Sequence, residues 1–294
     1  MFKGSIVALI TPFKNDRLDE ANYIKLINYH LDNGTHGMVP GGTTGESPTL
    51  SHQEHKNIIN LSVKECKSKI PVIAGTGSNS TSEAVELSKF ADKAGADGLL
   101  IVTPYYNKPT QEGLYQHYKK INDNVGIPII IYNIPSRSVI DMTVETMARL
   151  FELKNIVGVK DATGDLQRAE QQHKVMGDEF IMLTGEDGNT LEFNRRGGRG
   201  CISVTANVAA NLCSEMQSAS LEKNDKNLQN RAEEINKLLT PLNKSLFIES
   251  NPSPVKYAAS LLKLSTDDVR LPLVKITEPT KFAVLQALKH AHLI

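Results

Sequence analysis

The chain has 294 residues, 40% of them hydrophobic and 22% charged, which is the composition of a globular protein large enough for one big domain or two small ones. Its 33 basic and 33 acidic residues cancel, excluding the basic surplus that binding to nucleic acid or an anionic membrane demands and leaving a small molecule as the expected partner. Cys66, Cys201 and Cys213 are odd in number and lack Cys-x-x-Cys spacing, so they imply neither a disulfide framework nor a thiolate metal site; they suit a reducing cytoplasm.

No stretch approaches the roughly 18 apolar residues of a membrane span. The opening run Met1–Ile10 is too short for a signal h-region and has no small-residue cleavage site, so a cytoplasmic protein is expected. Short β-rich apolar runs start near Ser5, Gly37, Pro71, Gly98, Pro128, Ile156, Phe180 and Gly200. Segments of helical period lie between and after them: Asn22–Leu31, Ser51–Val63, Ser82–Ala94, Gln111–Ile121, Val144–Leu150, Leu166–Val175, Gly188–Arg195 and Ala206–Ala219. Strict alternation demands a parallel sheet, and eight repeats over about 220 residues match a closed (β/α)8 TIM barrel. An open doubly wound sheet would show a Gly-rich turn after its first strand, where this chain has Thr11-Pro12-Phe13. The expected organisation is a catalytic barrel over 1–224 and a C-terminal helical appendage over 225–294. The appendage is expected to break at Pro241, Asn251-Pro252-Ser253-Pro254, Pro272 and Pro279. Its leucines, among them Leu238, Leu242, Leu261 and Leu285, are too many for a free tail, so it should pack on the barrel or on another subunit.

In a parallel barrel the carboxyl ends of the strands share one mouth, so the search for chemistry narrows to the residues just beyond each apolar run. After the second run comes Gly41-Gly-Thr-Thr-Gly-Glu46-Ser47, either an anion cradle of backbone N–H groups and hydroxyls or a tight strand-to-helix turn with Ser47 or Ser51 as cap. It lacks the Gly-Lys-[Ser/Thr] of a nucleotide P-loop. The next helix carries His52 and His55, surface histidines or donors to an anion, with no third ligand for a metal. After the fourth run, Thr103-Pro-Tyr105-Tyr106-Asn-Lys-Pro109 holds two tyrosines that cannot both point one way; one serves a site while the other packs or crosses to a neighbouring subunit, unless both are ordinary loop packing. The fifth run ends Tyr132-Asn-Ile-Pro-Ser-Arg137, placing a phenol at a strand tip and, beyond it, a guanidinium suited to a carboxylate.

The sixth run, Ile156-Val-Gly-Val-Lys160-Asp161, ends in a lysine. Such a lysine either keeps its ammonium in water or pairs with a carboxylate such as Asp161, or it is a buried amine held in the neutral form that imine formation needs. The seventh run ends Thr184-Gly185-Glu186-Asp187 and the eighth Ile202-Ser-Val-Thr-Ala-Asn207; neither makes a metal cage. An amine and a phenol on consecutive strand tips, with hydroxyls to relay protons, point to carbonyl addition chemistry through an imine, without metal or cofactor.

With these residues assembled, the chain resembles the dihydrodipicolinate synthase family of pyruvate-dependent lyases nearly end to end. The resemblance rests on Ala8-Leu-Ile-Thr-Pro-Phe13, Gly41-Gly-Thr-Thr-Gly-Glu-Ser47, Pro71-Val-Ile-Ala-Gly-Thr-Gly77, Thr103-Pro-Tyr-Tyr-Asn107, Tyr132-Asn-Ile-Pro-Ser-Arg137, Gly158-Val-Lys160-Asp-Ala-Thr163, Ile202-Ser-Val-Thr-Ala-Asn207 and Asn251-Pro-Ser-Pro-Val-Lys256. It implies that Lys160 forms a Schiff base with pyruvate, that the enamine attacks L-aspartate 4-semialdehyde, and that Thr43, Tyr106 and Tyr132 relay protons. Tyr106 would come from the neighbouring subunit of a homo-oligomer, expected to be a dimer of dimers. Thr44 and Thr43 would hold the pyruvate carboxylate, Arg137 that of the semialdehyde, and Gly185 and Ile202 would line the site through backbone groups. Feedback inhibition by L-lysine would use Ser47, His52, His55, Asn79, Glu83 and Tyr105, with Pro48 where some relatives have a smaller residue. Arg137 favours the synthase over the family's sialic-acid and sugar-acid aldolases, which are the alternative.

Overall fold

The structure, a computed structural model, describes residues 2–294. Eight parallel strands form one sheet: β1 (Gly4–Ala8), β2 (Gly37–Val39), β3 (Ile73–Gly75), β4 (Gly98–Val102), β5 (Ile129–Asn133), β6 (Ile156–Asp161), β7 (Ile181–Thr184) and β8 (Gly200–Ser203). The spatial order β2-β1-β8-β7-β6-β5-β4-β3 is closed by a parallel bridge between Met38 and Val72, so the sheet has no long open edge and the expected barrel is present. A helix follows each strand: α1 (Glu20–Asp32), α2 (His52–Cys66), α3 (Thr81–Ala94), α4 (Gln111–Asn122), α5 (Val144–Phe151), α6 (Leu166–Met176), α7 (Thr190–Arg195) and α8 (Ala210–Leu221). A two-residue hairpin, Phe13–Lys14 against Arg17–Leu18, and a single helical turn, Pro135–Ser138, are additions that periodicity does not reveal.

Alternation along the strands divides the core into an inner and an outer layer. Ile6, Ala8, Val39, Ile130, Tyr132, Leu183 and Ile202 pack inside the barrel. Ile129, Ile131, Ile156, Val159 and Met182 face outward against the helices.

Beyond α8 come α9 (Lys226–Ser245), α10 (Ser253–Leu261) and α11 (Glu278–His290). Asp225 caps α9 by accepting from the backbone N–H groups of Asn227 and Leu228. The break expected at Pro241 does not occur, because α9 runs through it. Proline removes one donor and crowds the preceding turn, but Leu239 and Leu242 on either side are buried in the core, and that burial holds the helix through the defect. Pro254 and Pro279 sit in the first turns of α10 and α11, where a missing N–H costs nothing. Ala232, Ile235, Leu239, Val255, Val284 and Leu288 share one cluster with Val7, Leu9, Ile10 and Phe13, so the carboxyl-terminal helices complete the core around β1.

Candidate active site

Tyr132 and Lys160 lie opposite each other in the parallel register of β5 and β6. Their side chains point into the barrel mouth, with the Lys160 Nζ 4.1 Å from the centroid of the Tyr132 ring. Lys160 is 7% exposed and Tyr132 5%, so the amine is enclosed. Snorkelling is therefore not what this lysine does. Nor is Asp161 its counter-ion. One residue further along the strand, Asp161 points the opposite way: its Oδ1 accepts from the Thr163 N–H at 2.9 Å and the Thr163 hydroxyl at 2.6 Å. Its Oδ2 accepts from Gln172 Nε2 at 2.9 Å and lies 3.1 Å from Arg168 Nε. Arg168 also donates to Asp141 Oδ2 at 2.8 Å, and Asn133 donates to Asp141 Oδ1 at 2.7 Å. Asn133 and Asp161 are register partners, so this polar network ties the two strands together behind the phenol and the amine. Among the described residues Lys160 has no ion-pair partner.

The direction of Lys160 is set by an irregularity. Ile129 pairs with Ile156 but Ile130 pairs with Gly158, so β6 carries one extra residue. Without that bulge, Lys160 would face the same side as Ile156, which lies in the outer layer.

The turn after β2 is compact. Thr44 is buried, and Glu46 adopts a φ of 56°. Glu46 Oε1 accepts from the Lys256 ammonium at 2.6 Å, with both side chains almost fully buried. Its Oε2 accepts from the Arg270 N–H at 3.0 Å. Burial pulls the Lys256 pKa below the ordinary lysine value, and the Glu46 carboxylate opposes that shift. The turn is therefore both a tight connection and a fixed presentation of Thr43 and Thr44. At the end of β7, Gly185 has no room for a side chain, since a Cβ would lie 2.9 Å from Lys160 Cε and 2.8 Å from Ala162 Cβ. Ile202 is fully buried on β8.

Asp187, beside Gly185, accepts from the Ser203 hydroxyl and from the Val204 and Thr205 N–H groups at 2.9 and 3.2 Å. Burial raises its carboxyl pKa in spite of those donors. Glu186, half-buried, is likewise raised by burial and then by the Asp187 charge. The sequence placed both at a strand tip but could not show that Asp187 is consumed in holding the turn after β8.

A cavity of about 470 Å³ is lined by Thr43, Ile134 and Arg137 together with Ser47, His52, His55, Glu83 and Tyr105. His52 Nε2 lies 2.8 Å from Glu83 Oε1. His55 Nε2 lies 2.7 Å from the Gly75 carbonyl, and burial pulls its imidazole below the ordinary pKa, a shift the Gly75 hydrogen bond opposes. Asn79 stands just outside, its carbonyl accepting from Asn107 Nδ2 at 2.9 Å. Tyr105 turns toward the cavity, whereas Tyr106, with φ 73°, is 87% exposed. The two tyrosines do point different ways, and the single chain does not bring Tyr106 to Lys160. Larger cavities are present, one of about 590 Å³ lined in part by Arg137 and Asn251. That of about 780 Å³ is at the opposite end of the barrel, around Lys64, Lys67 and Asp97, where the lysines lie at the carboxyl end of α2. Among the described residues no group of three or more His, Cys, Asp or Glu is arranged to hold a metal ion, and no helix is long and apolar enough to cross a membrane.

Comparison with known proteins matches residues 1–291 to the model of the dihydrodipicolinate synthetase family. The 4-hydroxy-tetrahydrodipicolinate synthase of Pelagibacter ubique is 68% identical over 295 residues, covering 100% of both chains. Among solved structures, the chloride-inhibited dihydrodipicolinate synthase of Acinetobacter baumannii in complex with pyruvate is 43% identical, with a TM-score of 0.96 over 100% of both chains. The enzyme of Cyanidioschyzon merolae with lysine bound is 35% identical, with a TM-score of 0.95 over 100% of this chain and 99% of that one. These relatives are synthases rather than sugar-acid aldolases.

Proposed function

The chain belongs to the dihydrodipicolinate synthetase family, and from that premise we propose that it condenses pyruvate with L-aspartate 4-semialdehyde to 4-hydroxy-tetrahydrodipicolinate, the first committed step toward diaminopimelate and lysine. The observation that carries the reading is the enclosed Lys160 amine, 4.1 Å over the ring of Tyr132 on the paired strand and claimed by no carboxylate. The amine adds to the C2 carbonyl of pyruvate and water leaves, giving an imine. Loss of a methyl proton converts it to an enamine, whose C3 bonds to the aldehyde carbon of the semialdehyde. The amino group of that second substrate then displaces Lys160 and closes the ring.

Tyr132 moves protons at the imine, relayed through Thr43 and Tyr106. Thr43 and Thr44 hold the pyruvate carboxylate, with Gly185 and Ile202 lining the pocket through their backbones. Arg137, exposed at the mouth, takes the carboxylate of the short acceptor, a bidentate role that guanidinium suits. Tyr106 serves the site of a second copy in a homo-oligomer, a dimer of dimers, which fits its exposure on the single chain. The enzyme is cytoplasmic, in keeping with three free, buried cysteines. L-Lysine binds at Ser47, His52, His55, Asn79, Glu83 and Tyr105. Five of these face the cavity that also contains Thr43 and Arg137, a short path from effector to substrate.

Borohydride reduction in the presence of pyruvate adds the mass of the reduced pyruvyl group at Lys160, and Lys160→Ala takes up none. An unlabelled native chain, or full turnover by Lys160→Ala, ends this reading. In a coupled assay, aspartate semialdehyde is turned over in preference to sugar-acid aldehydes. Titration with L-lysine lowers the rate, and a flat response to millimolar levels removes the feedback site.

A further inference from the structure

The helices beyond the barrel reach the proposed carboxylate site through one residue. Asn251, 6% exposed, lies just before α10. Its Nδ2 donates to the Thr44 hydroxyl at 3.0 Å, and its backbone carbonyl accepts from Arg137 Nη2 at 3.3 Å. The two links differ in kind, because only the first involves the side chain. A threonine hydroxyl has one proton to give and two lone pairs to receive. With one lone pair occupied by the Asn251 amide, the Thr44 proton is left for an anion. The reverse amide orientation would place Oδ1 on Thr44 and draw off that proton. The same segment is anchored to the turn a second time, through the Lys256–Glu46 pair and the Arg270 N–H, so Asn251 is held rather than loosely apposed.

We infer that Asn251 is a positioning residue for the carboxylate of the first substrate: its side-chain amide presets the Thr44 hydroxyl as a donor. This rests on the reading of Thr44 as a pyruvate ligand and of Lys160 as the imine-forming amine. Because the hydrogen bond from Arg137 is accepted by the Asn251 backbone carbonyl, side-chain replacements at 251 separate the two substrates.

The test is borohydride trapping as a function of pyruvate concentration, alongside steady-state kinetics and thermal melting, for the native chain, Asn251→Ala, Asn251→Asp and each in a Thr44→Val background. Asn251→Ala raises the half-saturating pyruvate concentration roughly tenfold, the scale of a hydrogen bond serving a charged group. Asn251→Asp raises it further, since an aspartate accepts the Thr44 proton and repels the anion. The semialdehyde KM stays within about twofold, and the Asn251→Ala effect disappears once Thr44 is valine, as coupled residues require, while Asn251→Asp keeps only its direct repulsion of the anion. Asn251→Asp is nearly isosteric and keeps the test available if Asn251→Ala fails to fold. Unchanged pyruvate half-saturation, or equal rises in both KM values tracking a lower melting temperature, overturns the assignment. Failure of the native chain to label at all is a different result: it removes the imine reading and the inference with it.

Discussion

The amine of Lys160 lies against a ring face, which attracts a cation through its quadrupole but offers no carboxylate to fix it. That arrangement leaves the amine to its substrate, and the room for its stem is made by Gly185. A Cβ at 185 would approach Lys160 Cε to 2.9 Å, closer than packed carbons tolerate, while Ala162 closes the other side. Gly185→Ala is therefore expected to fold yet to lose borohydride-trapped pyruvate by at least about tenfold, since small displacements of a reacting group are costly; labelling at the native level would show that the stem has other room. Lys160 and Tyr132 are placed at the mouth by the sequence because each ends an apolar run, and runs of this kind deliver their last residues to the barrel mouth; the role of Gly185 enters only through the family resemblance. Asp161 could also have been read correctly. Adjacent residues of a strand face opposite sides, so the neighbour of an inward lysine is the least suitable partner for it. Asn251 had no such signal, lying far from any strand tip.

A single residue of register in β6 decides which way Lys160 points. Ile129 opposite Ile156 and Ile130 opposite Gly158 turn the end of the strand over, and no hydrophobic pattern announces it. Gly158 allows the bulge to sit against β7, because a Cβ there would fall 2.1 Å from the Ile181 carbonyl oxygen. Backbone cannot yield as a flexible side chain does. Gly158→Ala should cost about 3 kcal/mol, the upper range for overpacking, visible as a lower melting temperature together with weaker pyruvate labelling. If activity survives while stability alone falls, the bulge is not what aims the lysine. The carboxyl-terminal helices meet the barrel through the buried Glu46–Lys256 pair, where the cost of an unpaired charge exceeds the value of the pair. Lys256→Met alone should destabilise by about 3–5 kcal/mol. Adding Glu46→Gln, which removes the orphan charge and keeps an acceptor for the Arg270 N–H, should recover most of that loss in chemical denaturation. Equal stability of the single and double variants would argue against an ionised pair.

Across the whole molecule, several groups are held below their ordinary pKa, and three of them, His30, His117 and Glu54, are shifted far enough to mark the acid limb of stability. Burial lowers His30 to about 3 and His117 to about 4, from about 6.5 in an unfolded chain. Hydrogen bonds from Arg270, which fork across both oxygens at 2.6 and 2.8 Å, lower Glu54 to about 2. Each contributes fully above its unfolded value and loses that contribution as pH falls toward its folded one. The melting temperature should therefore begin to fall as pH drops below about 6.5, through the histidines, and fall more steeply below about 4.5 as the unfolded chain protonates Glu54. Glu54→Gln should flatten only the lower limb; an unchanged profile below that point would place the acid sensitivity elsewhere. Arg270 also stacks on Phe13, 4.2 Å from the ring centroid, so the same residue ties the last third of the chain to α2 and to the hairpin after β1.

The barrel, its mouth and the strand-tip residues on which the proposed imine chemistry rests were determined by the sequence itself, because hydrophobic alternation and the polar residues that end each run are local properties with a period that can be counted. The passage of α9 through Pro241, the inward aim of Lys160, the commitment of Asp187 to the scaffold, and the placement of Asn251 against Thr44 were decided only by tertiary structure. Each depends on what a distant segment supplies: burial that outweighs a missing hydrogen bond, one extra residue in a strand, or a donor brought from more than two hundred positions away. Energies of that kind are set between elements, and no window along the chain contains both partners.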